Sequence, residues 1–284
     1  MKSDFFKGRR GIFNIGVGLV IILVAGLYGL ISTIRINAKI NKEYGVYIGA
    51  SPADLDIDNL AETIVIDAQY YTKQEIADLK AAGHTVYTYL NIGSVETFRD
   101  YYKDYESITL GAYENWEDER WVDVSQKAWQ DFIADKAKEL RKKGVDGFFV
   151  DNCDVYYYHH DDEIFEGLCA ILRDLHSKKG YVMINGGDDF VMDYVSNYGT
   201  LDDVLDGVNQ ESIYTSIDWE NASFSVNTHN DRDYFLKYLN LVKNYGKDTY
   251  AIEYTTSGRI ARRAVRIAAG RGYKVYIADS LELK

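Results

Sequence analysis

From residue 44 onward the chain alternates two hydrophobic rhythms. Short, largely apolar runs lie at 44–48, 63–66, 85–90, 145–150, 181–184, 204–208, 249–252 and 274–278. Runs of that length, rich in Val, Ile and Tyr, read as strands buried on both faces. Between them, residues 72–82, 125–143, 161–179, 188–198, 231–245 and 257–269 repeat apolar positions every three or four residues, the period of an amphipathic helix. Thr72-Lys73-Gln74-Glu75 has the form of a capping box, and Gly83 and Gly144 fall where helices stop. Residues 97–124 keep neither rhythm. They are crowded with aromatics and acids, and an irregular stretch of that length is usually functional.

Eight strands separated by helices, with no change of composition, predict one α/β domain, a (β/α)8 TIM barrel over residues 44–284. Only six residues follow the last strand, too few for an eighth helix, and residues 35–43 are the expected cover for that gap. A doubly wound open sheet is the alternative. It would carry a glycine-rich nucleotide loop after its first strand, and Gly49-Ala50-Ser51-Pro52-Ala53-Asp54 is not one.

The first 36 residues follow a different rule. No charge occurs between Arg10 and Arg35, and the 24 residues 11–34 exceed the roughly 20 that span a bilayer as a helix. The run is long for the core of a cleaved signal peptide, which is the rival reading, and no small-x-small site closes it. The expected organisation is a short cytoplasmic N-terminus (1–10), a transmembrane signal anchor (11–34), a tether (35–43) and an extracytoplasmic barrel. That makes a single-pass protein of the cell membrane.

Charge narrows the partners. Setting aside the five basic and one acidic side chains of residues 1–36 leaves 27 basic against 43 acidic. So acidic a domain repels phosphates, which argues against nucleic acid, and it tolerates or attracts a cationic partner. Tyrosine is abundant at 25 residues, a composition that suits sugar-binding clefts and ordinary cores alike. Cys153 and Cys169 are too few for a disulfide framework and read as buried thiols.

The chemistry sits at the strand ends. Asp67, Asn91 with Glu96, Asp151 with Asn152, Asn185, Glu211, Glu253 and Asp279 each follow an apolar run, and in a barrel they converge on one mouth. A ring of carboxylates with amide donors and an aromatic loop fits glycoside hydrolysis. One carboxylic acid protonates the leaving oxygen while the other attacks or activates water. Any single strand-end acid is more often structural than catalytic; their coincidence at one end carries the reading. His159-His160-Asp161-Asp162 reads as a helix cap rather than a metal site, since adjacent side chains rarely converge on one ion. No metal or cofactor motif is present. Cys153 beside Asp151 reads as an unreactive thiol, because acidic neighbours raise its pKa.

Val145-Asp146-Gly147-Phe148-Phe149-Val150-Asp151-Asn152-Cys153-Asp154-Val155-Tyr156 resembles the strand signature of the glycoside hydrolase family 114 barrels, the endo-α-1,4-polygalactosaminidases and their relatives. Residues 86–99, 65–67 and 206–214 resemble further blocks of that family in the same order. The resemblance covers essentially everything after the anchor. It implies Asp151 and Glu211 as the catalytic pair, with Glu211 the proton donor and Asp151 the nucleophile or stabiliser. Asp67, Asn91, Glu96, Asn152, Asn185, Tyr214 and Glu253 would then be substrate-binding. The polygalactosaminidase branch reads N-E-x-C where this chain has Asn209-Gln210-Glu211-Ser212, which places it nearer a sister branch. The implied substrate is an amino-sugar exopolysaccharide, cationic where deacetylated, and the implied partner is the machinery that makes it. The alternative of a different class is a non-catalytic, membrane-anchored polysaccharide-binding or assembly protein with the same cleft. A barrel enzyme of another chemistry, such as a metal-assisted hydrolase, is the third.

Overall fold

The computed structural model of the protein describes residues 40–113, 116–221 and 223–284. The expected membrane span at 11–34 lies outside them. Among the described residues no helix is long and apolar enough to cross a bilayer.

The chain begins with β1 (Tyr44–Tyr47) and, after two 3-10 turns, β2 (Thr63–Ile66). Helix α1 (Lys73–Ala81) opens on the box read from the sequence: the Glu75 N–H donates to the Thr72 hydroxyl and the Thr72 N–H to the Glu75 carboxylate. Next come β3 (Thr85–Asn91), β4 (Ser94–Glu96), the single turn α2 (Tyr102–Tyr105), β5 (Thr109–Ala112) and β6 (Glu119–Val122). The long helix α3 (Lys127–Lys143) ends at Gly144, which takes the left-handed conformation a side chain would resist. It is followed by β7 (Gly147–Asp151), the turn α4 (Val155–Tyr158), α5 (Asp162–Ser177), β8 (Tyr181–Asn185), α6 (Asp188–Tyr198) and β9 (Gly207–Glu211). A hairpin of β10 (Thr215–Asp218) and β11 (Ser223–Val226) precedes α7 (His229–Asn244), β12 (Asp248–Tyr254), α8 (Gly258–Arg271) and β13 (Lys274–Ala278).

Eight strands form one parallel sheet in the order β1-β2-β3-β7-β8-β9-β12-β13. β13 returns to lie beside β1, so the sheet curls almost closed with the helices outside, the geometry of a (β/α)8 barrel. Strand parity then makes two cores. Outward residues such as Ile64, Val86, Phe148, Val182 and Val208 pack with the helices. Inward residues, among them Tyr44, Tyr87, Tyr89, Phe149, Met183, Tyr250 and Tyr276, fill the barrel. Much of the tyrosine excess is therefore barrel filling, with Tyr44 and Tyr250 at 4.8 Å between ring centroids.

Three expectations need correction. The sixth barrel strand is β9, three residues later than the apolar run at 204–208. Val204 and Leu205 are buried in the turn below it, while polar Asn209 and Gln210 lie within the strand. Burial there is made tolerable by hydrogen bonding, which an apolar-run criterion does not register. Residues 97–124 are not simply irregular, since they contain β5 and β6, which join the preceding β4 in a small antiparallel sheet. The β10–β11 hairpin was not foreseen either.

The seam between β1 and β13 has no strand ladder. Instead Asn41 inserts its amide there, accepting from the Ile277 N–H at 2.7 Å and donating to the Ile277 carbonyl at 2.9 Å. Residue 41 thus covers part of the gap as expected; residues 35–39 lie outside the described residues. The last residues cross the mouth, where the Gly49 N–H donates to the Leu283 carbonyl and Leu283 joins the inner core. Asn41→Ala removes two hydrogen bonds and should lower the unfolding free energy by about 1–3 kcal/mol, read as a lower midpoint at unchanged slope in urea titration.

Candidate active site

Parity on the strands decides which polar side chains reach the mouth. On β7, Phe149 points inward and so does Asp151 two residues on; on β8 the pair is Met183 and Asn185. Asn209 and Glu211 share the inward face of β9, and Tyr250, Ile252 and Tyr254 that of β12. The register sets Asn185 opposite Asn209 and Asn91 opposite Asp151. The result is a cleft of about 620 Å³ lined by Asp151, Glu211, Asn152, Asn185, Tyr254 and others.

One amide organises it. Asn185 Nδ2 donates to Asp151 Oδ1 at 3.0 Å and to Glu211 Oε1 at 2.8 Å. Both oxygens touch one nitrogen, so they lie no farther apart than the sum of those distances, 5.8 Å. Asn185 Oδ1 accepts from Asn209 Nδ2 at 2.6 Å, and Asn209 Oδ1 accepts from the Tyr44 hydroxyl at 3.2 Å. This relay fixes the amide's orientation from inside the barrel. Tyr254 closes the other side, its hydroxyl donating to Glu211 Oε2 at 2.6 Å. The residue after each carboxylate, Asn152 and Ser212, has a positive φ of 67° and 53°. Strained backbone at such a place is typical of a functional site.

Burial pushes the Asp151 carboxyl up to about 6, helped by the neighbouring Glu211 charge and opposed by hydrogen bonds from Asn185, the Asn152 N–H and Tyr89. Two more acids share the cleft. Glu119 on β6 accepts from Ser94 Oγ at 2.5 Å and from Asn91 and Asn152, and burial raises it to about 7. Asp154 accepts the Gly187 N–H, and burial together with Asp188 raises it to about 7. Low dielectric and mutual repulsion act together here.

The other expected residues fall into three groups. Asp67 and Glu96 line the cleft but are bound by Arg99 at 3.0 and 2.8 Å, a buried triad in which Glu96 Oε2 has no hydrogen-bond partner among the described residues. Asn91 lies beneath the cleft, bridging Ser94 and Asn152. The structure does not bring Glu253 or Tyr214 to the cleft. Glu253 is 1% exposed and points outward from β12, accepting from the Tyr214 and Thr215 N–H groups and the Thr215 hydroxyl. Parity puts the next residue, Tyr254, in its place.

Sequence reasoning passed over Glu119, Arg99, Tyr254 and Trp219. Alternation on the seventh strand, counted from Tyr250, would have found Tyr254. The aromatic stretch divides: Tyr101 and Tyr105 pack on Phe132 in the outer core, while Phe98 and Trp116 stay exposed along the cleft. Trp116 meets Trp219, from the β10–β11 turn, edge to face at 5.9 Å. Among the described residues no group of three or more His, Cys, Asp or Glu side chains is arranged to hold a metal ion. Asp161 caps α5 by accepting the Ile164 N–H, as read from the sequence.

The sequence profile of Glycoside-hydrolase family GH114 matches residues 35–280. Comparison with curated proteins gives no match. Among solved structures, the glycoside hydrolase domain of PelA from Pseudomonas aeruginosa is similar with a TM-score of 0.71 and 19% identity, over 85% of this chain and 95% of that one. Aspergillus fumigatus Ega3 in complex with galactosamine gives 0.67 and 18%, over 87% and 94%. An α-galactosidase from Thermus thermophilus gives 0.56 and 10%, over 84% of this chain and 58% of that one. At these identities the likeness is one of fold.

A carboxyl raised on folding favours the folded state while protonated, and that advantage disappears as pH rises through its folded pKa. For Glu119 the window runs from the ordinary glutamate range up to about 7. Glu119→Gln should therefore gain stability relative to the wild type between pH 5 and pH 8, by on the order of 3 kcal/mol. Thermal melts at the two pH values check this, and an equal difference at both would count against it.

Proposed function

The chain belongs to glycoside-hydrolase family GH114, and from that membership we propose that it cleaves an amino-sugar polysaccharide with Asp151 as nucleophile and Glu211 as acid and base. The observation that carries the assignment is the single Asn185 amide holding both carboxylates. Their bonded oxygens lie within 5.8 Å of each other, short of the roughly 6.5–9.5 Å that leaves room for an attacking water. That supports retention of configuration.

In the first step Glu211, as the acid, gives a proton to the glycosidic oxygen while the Asp151 carboxylate attacks the anomeric carbon. The carbon–oxygen bond breaks, the leaving chain departs as an alcohol, and a glycosyl ester forms on Asp151. In the second step the Glu211 carboxylate takes a proton from water, whose oxygen attacks the same carbon and frees Asp151. Asn185 and Tyr254 hold both groups at working distance, and Tyr89 and the Asn152 N–H stabilise the Asp151 anion between turnovers.

An acidic cleft favours a galactosamine-containing polymer that is partly deacetylated, because its ammonium groups offset the charge of Glu119, Asp154 and the pair. The galactosamine bound to Ega3 supports that sugar class. For localisation the support is the uncharged segment 11–34, which would hold the barrel on the outer face of the cell membrane near the machinery that exports the polymer.

Asp151→Asn and Glu211→Gln should each lower hydrolysis by about a thousandfold with polymer binding kept. A wild type that binds the polymer and never cleaves it would instead establish the binding-only alternative. Proton NMR during the first turnovers should show the product with its anomeric configuration retained.

Activity should also fall on the acid side as pH drops through about 6, where Asp151 takes a proton. If activity is lost instead as pH rises through 6, the two roles are reversed. Added salt should weaken KM for the deacetylated polymer more than for the fully acetylated one, measured by reducing-end release.

A further inference from the structure

Helix α8 stands apart from the acidic domain. It carries Arg259, Arg262, Arg263, Arg266 and Arg271 with no acidic residue, and Arg259, Arg263, Arg266 and Arg271 are exposed. None of the five has a carboxylate partner among the described residues. Basic groups elsewhere, such as Arg99, Arg173, Lys80, Lys178 and Lys247, do. Two grooves run along this face. One of about 440 Å³ lies between Arg259, Arg262, Arg263, Arg266 and the β10–β11 hairpin, and one of about 330 Å³ lies between Arg266, Arg271 and Arg232 of α7. Ile260 and Ile267, both half-buried, lie among the arginines.

We propose that this face of α8 docks the barrel onto an anionic phospholipid surface. The inference rests on the reading of residues 11–34 as a membrane anchor. Residue 34 precedes Asn41 by few residues, and the six between them reach about 20 Å when fully extended. Asn41 is bonded to Ile277 of β13, the strand on which α8 packs. A tether of that reach keeps a bilayer that holds the anchor near the domain, and its point of attachment, Asn41, lies against the strand beside α8. An anionic leaflet repels a domain with 43 acidic against 27 basic side chains, and it attracts α8, whose charged residues are all positive. Guanidinium forks pair with lipid phosphates and isoleucines enter the headgroup layer, as in interfacial helices.

The test uses the full chain reconstituted in vesicles of phosphatidylcholine, alone or with about 30% phosphatidylglycerol. Ala269→Cys, exposed on α8, carries an environment-sensitive dye; the native cysteines are buried, and burial pushes both thiols up and keeps them unreactive. Expected is a blue shift of the dye in the anionic vesicles, reversed by high salt. Arg259→Gln/Arg263→Gln/Arg266→Gln should weaken docking on the order of a hundredfold and leave polymer cleavage unchanged, since none of the three lines the cleft. Equal emission in both lipids, or an undiminished shift in the triple variant, overturns the proposal. So does a shift produced by soluble polyphosphate and not by anionic lipid, which would make a dissolved polyanion the partner. A chain that fails to float with any vesicle overturns the anchor reading as well, and normal cleavage in that chain shows that the catalytic reading stands apart.

Discussion

Two carboxylates at the end of a barrel repel each other, and one side-chain amide keeps them together. Asn185 gives one hydrogen to Asp151 and one to Glu211, so neither acid can move away without leaving a buried donor unpaired. The amide is itself locked by Asn209, and Asn209 by Tyr44 in the barrel core. The spacing of the two carboxylates is thus tied to the packing of an aromatic interior several residues below it. The arrangement is rigid because it is built on strands rather than loops.

The same constraint explains the cost of the site. Asp151, Glu119 and Asp154 are crowded into one cleft, and burial holds all three well above the ordinary carboxylate range. In the adjoining triad a single guanidinium, Arg99, is shared by two carboxylates, Asp67 and Glu96, and offsets only part of their charge. Gly93 shows how tightly the two halves approach. A Cβ there would lie 1.7 Å from the Asn152 carbonyl oxygen, so only glycine lets the turn after β3 pass beneath the residue that follows Asp151. The mouth combines unrelieved charge with backbone that has no room to relax.

Much of this was legible in the sequence, and for a physical reason. Parallel strands are apolar and short, so eight of them announced the barrel, and the acids interrupting their ends announced its mouth. The failures also have a cause. An apolar run marks burial and not hydrogen-bonded extension, which is why β9 lies beyond Val204 and Leu205. Glu253 was placed in the cleft because it ends an apolar run, but a one-residue step in a strand reverses the face. Glu119 and Arg99 were invisible because they arrive on an inserted sheet and turn, whose packing depends on contacts distant in sequence.

Trp116 and Trp219 come from separate insertions, after β3 and after β9, and touch edge to face beside the cleft. Their contact makes a strut between the two banks. An edge-to-face pair adds only about 0.5–1.5 kcal/mol beyond the area it buries, so the strut is a weak tie and not a fixed bar. Parting it opens the groove from the side as well as from its ends.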